Sequence, residues 1–185
     1  MQAKLICLLL VELREEFNMA DEIKELTIDE CRTQTQKHID LVNKLGRIYI
    51  NELNTRLANH DKSKLESPEV EEFAKVTNGL ASTTYGSPEY MKFLKEDLAL
   101  ALEHHYAHNR HHPEHFGERG VDAMNLFDLV EMFLDWLAAS KRQNNGNLMV
   151  SIDKSCERFN ITGTLANILR NTVDYFDAIL SAEDK

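Results

Sequence analysis

TIDECRTQTQKHIDLVNKLGRIYINELNTRLANHD, residues 27–61, decides the fold class. Thr27 and Glu30 have the Thr-x-x-Glu spacing of a capping box, in which each side chain meets the other's backbone N–H and starts a helix. Ile28, Leu41, Leu45, Ile48, Leu53 and Leu57 then keep near-helical spacing. The pattern predicts a helix to about residue 57, with this stripe turned toward a core. His38 precedes Leu41 and Leu45 by three and seven residues, which predicts that it shares the inward face. His60-Asp61 stands where the helix runs out.

Working outward, Ser67-Pro68-Glu69 reads as N-cap, first helical position and acidic first turn of a second helix. That helix runs to about Asn78, with Gly79 as its stop and a polar loop from Ala81 to Gly86. Ser87-Pro88-Glu89 repeats the start signal. Met91, Leu94, Leu98 and Ala101 form a stripe whose spacing His105, His108 and His112 continue, until Pro113 breaks the helix. A glycine-containing loop, His115 to Asp122, leads to Asn125, a cap for a helix reaching about Arg142. Its apolar face is Leu126, Val130, Phe133 and Leu137, while Asp128, Glu131 and Asp135 fall at i, i+3 and i+7 on another. Asn144-Asn145-Gly146 ends it, and two more helices follow over about 148–158 and 164–181. No segment alternates apolar and polar residues in a sustained way, so an all-α fold is expected.

Composition excludes several classes. A chain of 185 residues with 43% hydrophobic and 28% charged residues is long enough for one domain with a sizeable core, expected over residues 27–185 behind an extension at 1–26. A net charge of -10 argues against a broad basic face for duplex nucleic acid. The apolar run Leu5–Val11 is too short to span a bilayer and lacks a signal-peptide cleavage pattern, so no membrane partner and a cytoplasmic location are expected. Cys7, Cys31 and Cys156 show neither zinc spacing nor a disulfide framework.

The histidines carry the chemistry. Six of the eight lie between His104 and His115. Imidazole and carboxylate together form a ligand set for divalent cations such as Mn, Co, Fe, Ni or Zn. If His38, His60, Asp61 and Asp135 converge from separate helices, they bind one cation and leave positions for water and substrate. A bound cation acidifies its water and polarises a phosphoryl oxygen. Asp61 is the candidate for bridging to a second cation or accepting a proton, and Lys64 for reaching a phosphate oxygen. His104 and His105 are the preferred further ligands, while His111, His112 and Glu131 are candidates for substrate contact, with a metal-ligand role for the two histidines left open. Arg110, Lys141 and Arg142 are candidate phosphate contacts or plain surface cations. Taken singly, each feature has an ordinary alternative: a core histidine at His38, a turn at His60-Asp61, a solvated acidic face at Asp128, Glu131 and Asp135, and a polar surface loop at His108 and His115.

The order His38…His60-Asp61-x-x-Lys64…His104-His105…Asp135 resembles the HD superfamily of metal-dependent phosphohydrolases. More narrowly, HDKSKLESPE (60–69), ALEHHYAHNRHHPEHF (101–116) and NLFDLVEMFLDWLAASKR (125–142) resemble an uncharacterised domain family of phages and bacteria. The wider resemblance implies an HD-like helical bundle, His38, His60, Asp61 and Asp135 as the four metal ligands, and hydrolysis of a phosphoester or phosphoanhydride, often in a nucleotide. Many single-metal nucleotidases of the superfamily have an acidic residue a turn after the His-Asp pair, where this chain has Lys62 and Lys64. The extra histidines point instead to members with more than one metal. The expectation is therefore a hydrolase of a nucleotide or other small phosphorylated compound using one or two divalent ions (Mn, Co, Mg, Fe, Ni or Zn). A di-iron oxygenase and a non-catalytic nucleotide-binding module are the alternatives. Oligomeric state is not legible in the sequence.

Overall fold

The computed structural model describes residues 25–81, 83, 87, 88, 92, 98–142 and 147–183. The fold is all-α, with no strand among the described residues. The elements are α1 (Ile28–Asn59), a 3-10 turn (Lys62–Leu65), α2 (Glu69–Ala81), α3 (Ala99–His108), a 3-10 segment (Pro113–Ala123), α4 (Leu126–Lys141), α5 (Leu148–Arg158) and α6 (Gly163–Glu183). No described helix is long and apolar enough to cross a membrane. The chain divides into two compact units, Met1–Ile48 and Tyr49–Lys185, with the boundary inside α1.

In the first unit, the capping box forms as the sequence predicts. Thr27 N–H donates to Glu30 Oε2 at 2.8 Å, and Glu30 N–H donates to Thr27 Oγ1 at 3.3 Å. The inward stripe does not form. Leu41, Leu45 and Ile48 are 53%, 56% and 57% exposed, and His38 on the same stretch is exposed as well. Helical spacing shows only that side chains share a face. Burying that face needs a second element against it, and no residue of α1 is buried.

The second unit holds the core. α4 contributes Met132, Phe133, Trp136 and Leu137, packed against Leu148, Ile152 and Cys156 of α5 and Ala166, Leu169 and Val173 of α6. Trp136 stacks on Phe159 with ring centroids 5.7 Å apart, so the tryptophan is a packing residue. A smaller cluster joins Val76 of α2 to Leu98 and Ala101 at the start of α3.

Two local expectations change, and one alternative reading falls away. α2 continues two residues past Gly79 to Ala81. A glycine inside a helix costs only about 1 kcal/mol against alanine, too little by itself to end one. The stretch expected as a loop at His115–Asp122 is instead wound into 3-10 turns, interrupted where Gly117 and Gly120 take φ values of 59° and 45° that side chains with a Cβ avoid. The acidic face of α4 is not solvated, since Asp128 is 0% and Glu131 7% exposed. The second start signal at Ser87-Pro88-Glu89, the stripe members Met91 and Leu94, the stop at Asn144-Asn145-Gly146, and Cys7 lie wholly or partly outside the described residues.

α4 thus has two loaded faces, an apolar one on α5 and α6 and an acidic one turned the other way. Ile152, 0% exposed beneath Trp136 and its neighbours, tests the first. Ile152→Ala is expected to lower unfolding free energy by about 3 kcal/mol, whereas Leu126→Ala, at an exposed position on the same α4, should change it by less than about 0.5 kcal/mol. Urea denaturation of the two variants measures the contrast.

Candidate metal centre

α1 ends at Asn59, and Asp61 turns the chain in the left-handed region at φ 58°, ψ 12°. Aspartate is one of the few side chains that tolerate this conformation. Just before this turn, His60 faces α4. Its Nδ1 lies 3.1 Å from Glu131 Oε1, and its Nε2 lies 3.5 Å from Asp135 Oδ1 and 3.7 Å from Asp61 Oδ2. Glu131 and Asp135 are four residues apart on one helix, so a single face of α4 presents both carboxylates to one imidazole.

The other wall comes from α3 and the turn after it. His105 is 1% exposed and places Nε2 3.3 Å from Asp61 Oδ1 and 2.9 Å from His112 Nε2. His111, also 1% exposed, places Nε2 3.4 Å from Asp61 Oδ1 and Nδ1 3.2 Å from Glu131 Oε1. Three groups of side chains therefore offer ligand atoms within 4.8 Å of one another. They are Asp61, His105, His111 and His112; His60, His111 and Glu131; and His60, Asp61 and Asp135. These buried and half-buried clusters are close enough to hold a metal ion.

The donor chemistry fits a cation. Asp61 Oδ1 and His111 Nε2 are buried and have no hydrogen-bond partner. An unsatisfied buried polar atom costs about 1–3 kcal/mol, and two adjacent ones call for positive charge between them. The titration behaviour says the same. Hydrogen bonds to Asp135 and then Glu131 push His60 up to about 10. Burial alone would raise Asp61, but the nearby His105 and His111 rings and the ammonium of Lys64 outweigh it and hold the carboxyl below its ordinary range. Burial favours neutral His111, yet the carboxylates of Asp61 and Glu131 beside it leave it raised. His112 is driven down to about 2 by burial and by the neighbouring imidazoles of His111 and His105. Glu131 resists burial through His111 and His60 and falls to about 2. Protons gather on the imidazoles because the carboxylates demand positive charge there.

Of the ligands predicted from sequence, His60, Asp61, Asp135 and His105 come together. His38 and His104 join none of the three groups. His38 is exposed on α1 in the first unit, since the inward face assigned to it is absent. His104, the neighbour of His105 on α3, leaves the helix in a different direction and places Nδ1 2.6 Å from Glu69 Oε1. His111 and His112, taken as substrate contacts, sit among the ligand atoms instead, because α3 stops at His108 and the following turn folds them back. Glu131, also taken as a substrate contact, is buried against His60 and His111. Lys64 Nζ contacts Asp61 Oδ2 at 2.7 Å and lies over the Phe73 ring. Arg110 is committed to Asp128, while Lys141 and Arg142 are exposed. His108 is exposed, and His115 bonds the Tyr106 carbonyl.

Asp128 locks the frame around this centre. Its carboxylate completes the α4 capping box with Asn125 and accepts hydrogen bonds from Arg56 Nη2 at 2.7 Å and from Arg110 Nη2 at 3.0 Å. The end of α1, the turn carrying His111 and the start of α4 are tied to one buried acid. The sequence showed Asp128 as one member of an acidic stripe on α4, with no sign of the two arginines.

A family model described as a family of unknown function (DUF5662) matches residues 27–179. The chain belongs to the DUF5662 family. The match spans α1 and every ligand group of the centre. Comparison with curated proteins and with solved structures yields no match.

The shift of His60 has a measurable consequence. Folding favours its protonated form, so its contribution to stability is complete below about 6.5 and disappears as pH rises toward about 10. Metal-free protein should therefore lose melting temperature between about pH 6.5 and pH 10, and His60→Gln should flatten that slope. Thermal melts in the presence of a chelator measure both, and equal slopes for the two proteins would contradict the assignment.

Proposed function

We propose that this protein is a metal-dependent phosphohydrolase acting on a nucleotide or similar small phosphorylated compound, with divalent cations held on the two sides of Asp61. The observation that carries the reading is Asp61 Oδ1, buried without a hydrogen-bond donor and faced by the Nε2 atoms of His105 and His111. Asp61, His105, His111 and His112 would hold one ion, and Asp61, His60 and Asp135 a second. Such ions polarise phosphoryl oxygens and lower the pKa of bound water to about 7. Manganese and cobalt suit this mixed imidazole and carboxylate set, and Mg, Fe, Ni or Zn are the alternatives a metal analysis would distinguish.

The remaining work falls to the chain's own groups. His112, held near 2, is neutral at physiological pH and offers a lone pair rather than a charge. Lys64 is one-third exposed at the edge of the centre, where its ammonium can turn from Asp61 to a phosphate oxygen. Asp128 keeps Arg56 and Arg110 occupied, which leaves Lys64 as the cation best placed for substrate. The imidazole-rich first group favours one second reading, a di-iron oxygenase on the same ligands. Iron near two equivalents with oxygen consumption, and no phosphate release, would favour it. Tight nucleotide binding with no product and no metal dependence would favour a binding module.

The deciding experiment is metal analysis of protein purified without chelators, followed by incubation with Mn or Co and a panel of nucleotides. Release of phosphate, pyrophosphate or nucleoside is expected, and Asp61→Asn should reduce the rate about a hundredfold or more. Metal-loaded protein that releases none of these products would overturn the hydrolase reading.

A further inference from the structure

Glu69 was read from sequence only as an acid in the first turn of α2. In the structure it is 0% exposed and lies beside the ligand cluster without belonging to it. Its Oε1 is 2.6 Å from His104 Nδ1, and its Oε2 is 2.8 Å from His105 Nδ1 and 3.0 Å from Ser63 Oγ. A buried carboxylate with this many donors stays ionised. Imidazole binds a proton more tightly than a carboxylate does, so the two rings rather than Glu69 carry the protons of these contacts.

The hydrogens around His105 can be counted. Ser63 donates its hydroxyl proton to Glu69 Oε2 and accepts from Asn109 Nδ2 at 2.8 Å. The second Asn109 amide hydrogen goes to the His105 carbonyl at 2.9 Å. Asn109 Nδ2 also lies 3.0 Å from His105 Nδ1, but both its hydrogens are already placed. Reversing the amide would set two carbonyl oxygens 2.9 Å apart, which is repulsive. The proton between His105 and Glu69 must therefore sit on His105 Nδ1, because an ionised carboxylate only accepts. A neutral His105 then has its lone pair on Nε2, which accepts from His112 Nε2–H at 2.9 Å in the metal-free chain and lies 3.3 Å from Asp61 Oδ1.

We propose that Glu69 is the positioning residue of the metal centre: it fixes His105 in the Nδ1–H tautomer and so presents Nε2 to the cation. This rests on the metal-dependent reading of the site. The arrangement follows the general logic by which a carboxylate behind a ligating imidazole sets ring orientation and raises ligand basicity. Glu131 stands in the same relation to His60 and His111 through its Oε1. His104, about one-third exposed, satisfies the second oxygen of Glu69 and holds the carboxylate in place.

Long-range proton–nitrogen NMR of the wild-type, metal-free chain at about pH 8, above the ordinary imidazole pKa, reads the tautomer directly. His105 Nδ1 is expected to carry the proton, with the resonance assigned through His105→Gln. Cobalt titration then compares wild type with Glu69→Gln. The glutamine offers one acceptor and one donor where two acceptors are needed, so cobalt affinity should fall about 10–100-fold and the visible cobalt spectrum should change. Ser63→Ala, which removes a donor to Glu69 but leaves His105 in place, should cost less. Circular dichroism establishes that each variant is folded, and the wild-type tautomer decides the matter if Glu69→Gln is not. Wild-type protein that binds cobalt with His105 protonated at Nε2, or folded Glu69→Gln that binds it unchanged, overturns the role of Glu69. Wild-type protein that binds neither Mn nor Co overturns the metal-dependent reading, and this inference with it.

Discussion

One buried carboxylate oxygen, Asp61 Oδ1, organises the centre of this protein. It has no hydrogen-bond donor and faces the Nε2 atoms of two fully buried imidazoles. An oxygen in that setting must be met by positive charge, either from protons on the rings or from a cation among them. The raised His60 and His111 are the protonic answer. The outward atoms of the same rings are also anchored. Nδ1 of His60 and His111 meets Glu131, and Nδ1 of His105 meets Glu69. The centre is thus an inner set of nitrogen and oxygen atoms held by an outer set of acids.

The placement of these layers depends on α4. Its apolar face is fixed by α5 and α6, and that packing aims Asp128, Glu131 and Asp135 in the opposite direction. Asp128 then reaches the end of α1 through Arg56 and the histidine turn through Arg110. Removing one partner from such a buried ionic cluster typically costs about 3–5 kcal/mol, because the charges left behind are stranded. The same acid caps α4, so helix formation and site assembly are coupled through one residue.

The chemistry proposed follows from the ligand set rather than the fold. A helical scaffold of this kind carries hydrolytic and oxidative reactions alike. What favours hydrolysis in this reading is a cation at the rim of the ligand set. Asp61 and Asp135 give the centre hard oxygen ligands beside its imidazoles. Lys64 sits at the rim as a mobile point charge suited to phosphate. Membership of a family of unknown function leaves substrate and metal to direct measurement.

The sequence by itself determined the helices that have strong end signals. The Thr27–Glu30 box, the Asn125 cap and the helix beginning at Leu148 are local events, written in residues three or four apart. It also determined that His60, Asp61, His105 and Asp135 were worth bringing together, because clustered imidazoles and acids have few uses besides cation binding. Tertiary structure decided the rest. It left His38 exposed, since helical spacing defines a face but not what covers it. It turned His104 to Glu69 and His105 to Asp61, although the two are adjacent in the chain. It moved His111 and His112 into the ligand cluster, through a turn whose direction no periodicity encodes. Side-chain direction at a helix end depends on contacts dozens of residues away, such as those 42 residues apart between Ser63 and His105, and local pattern carries no record of them.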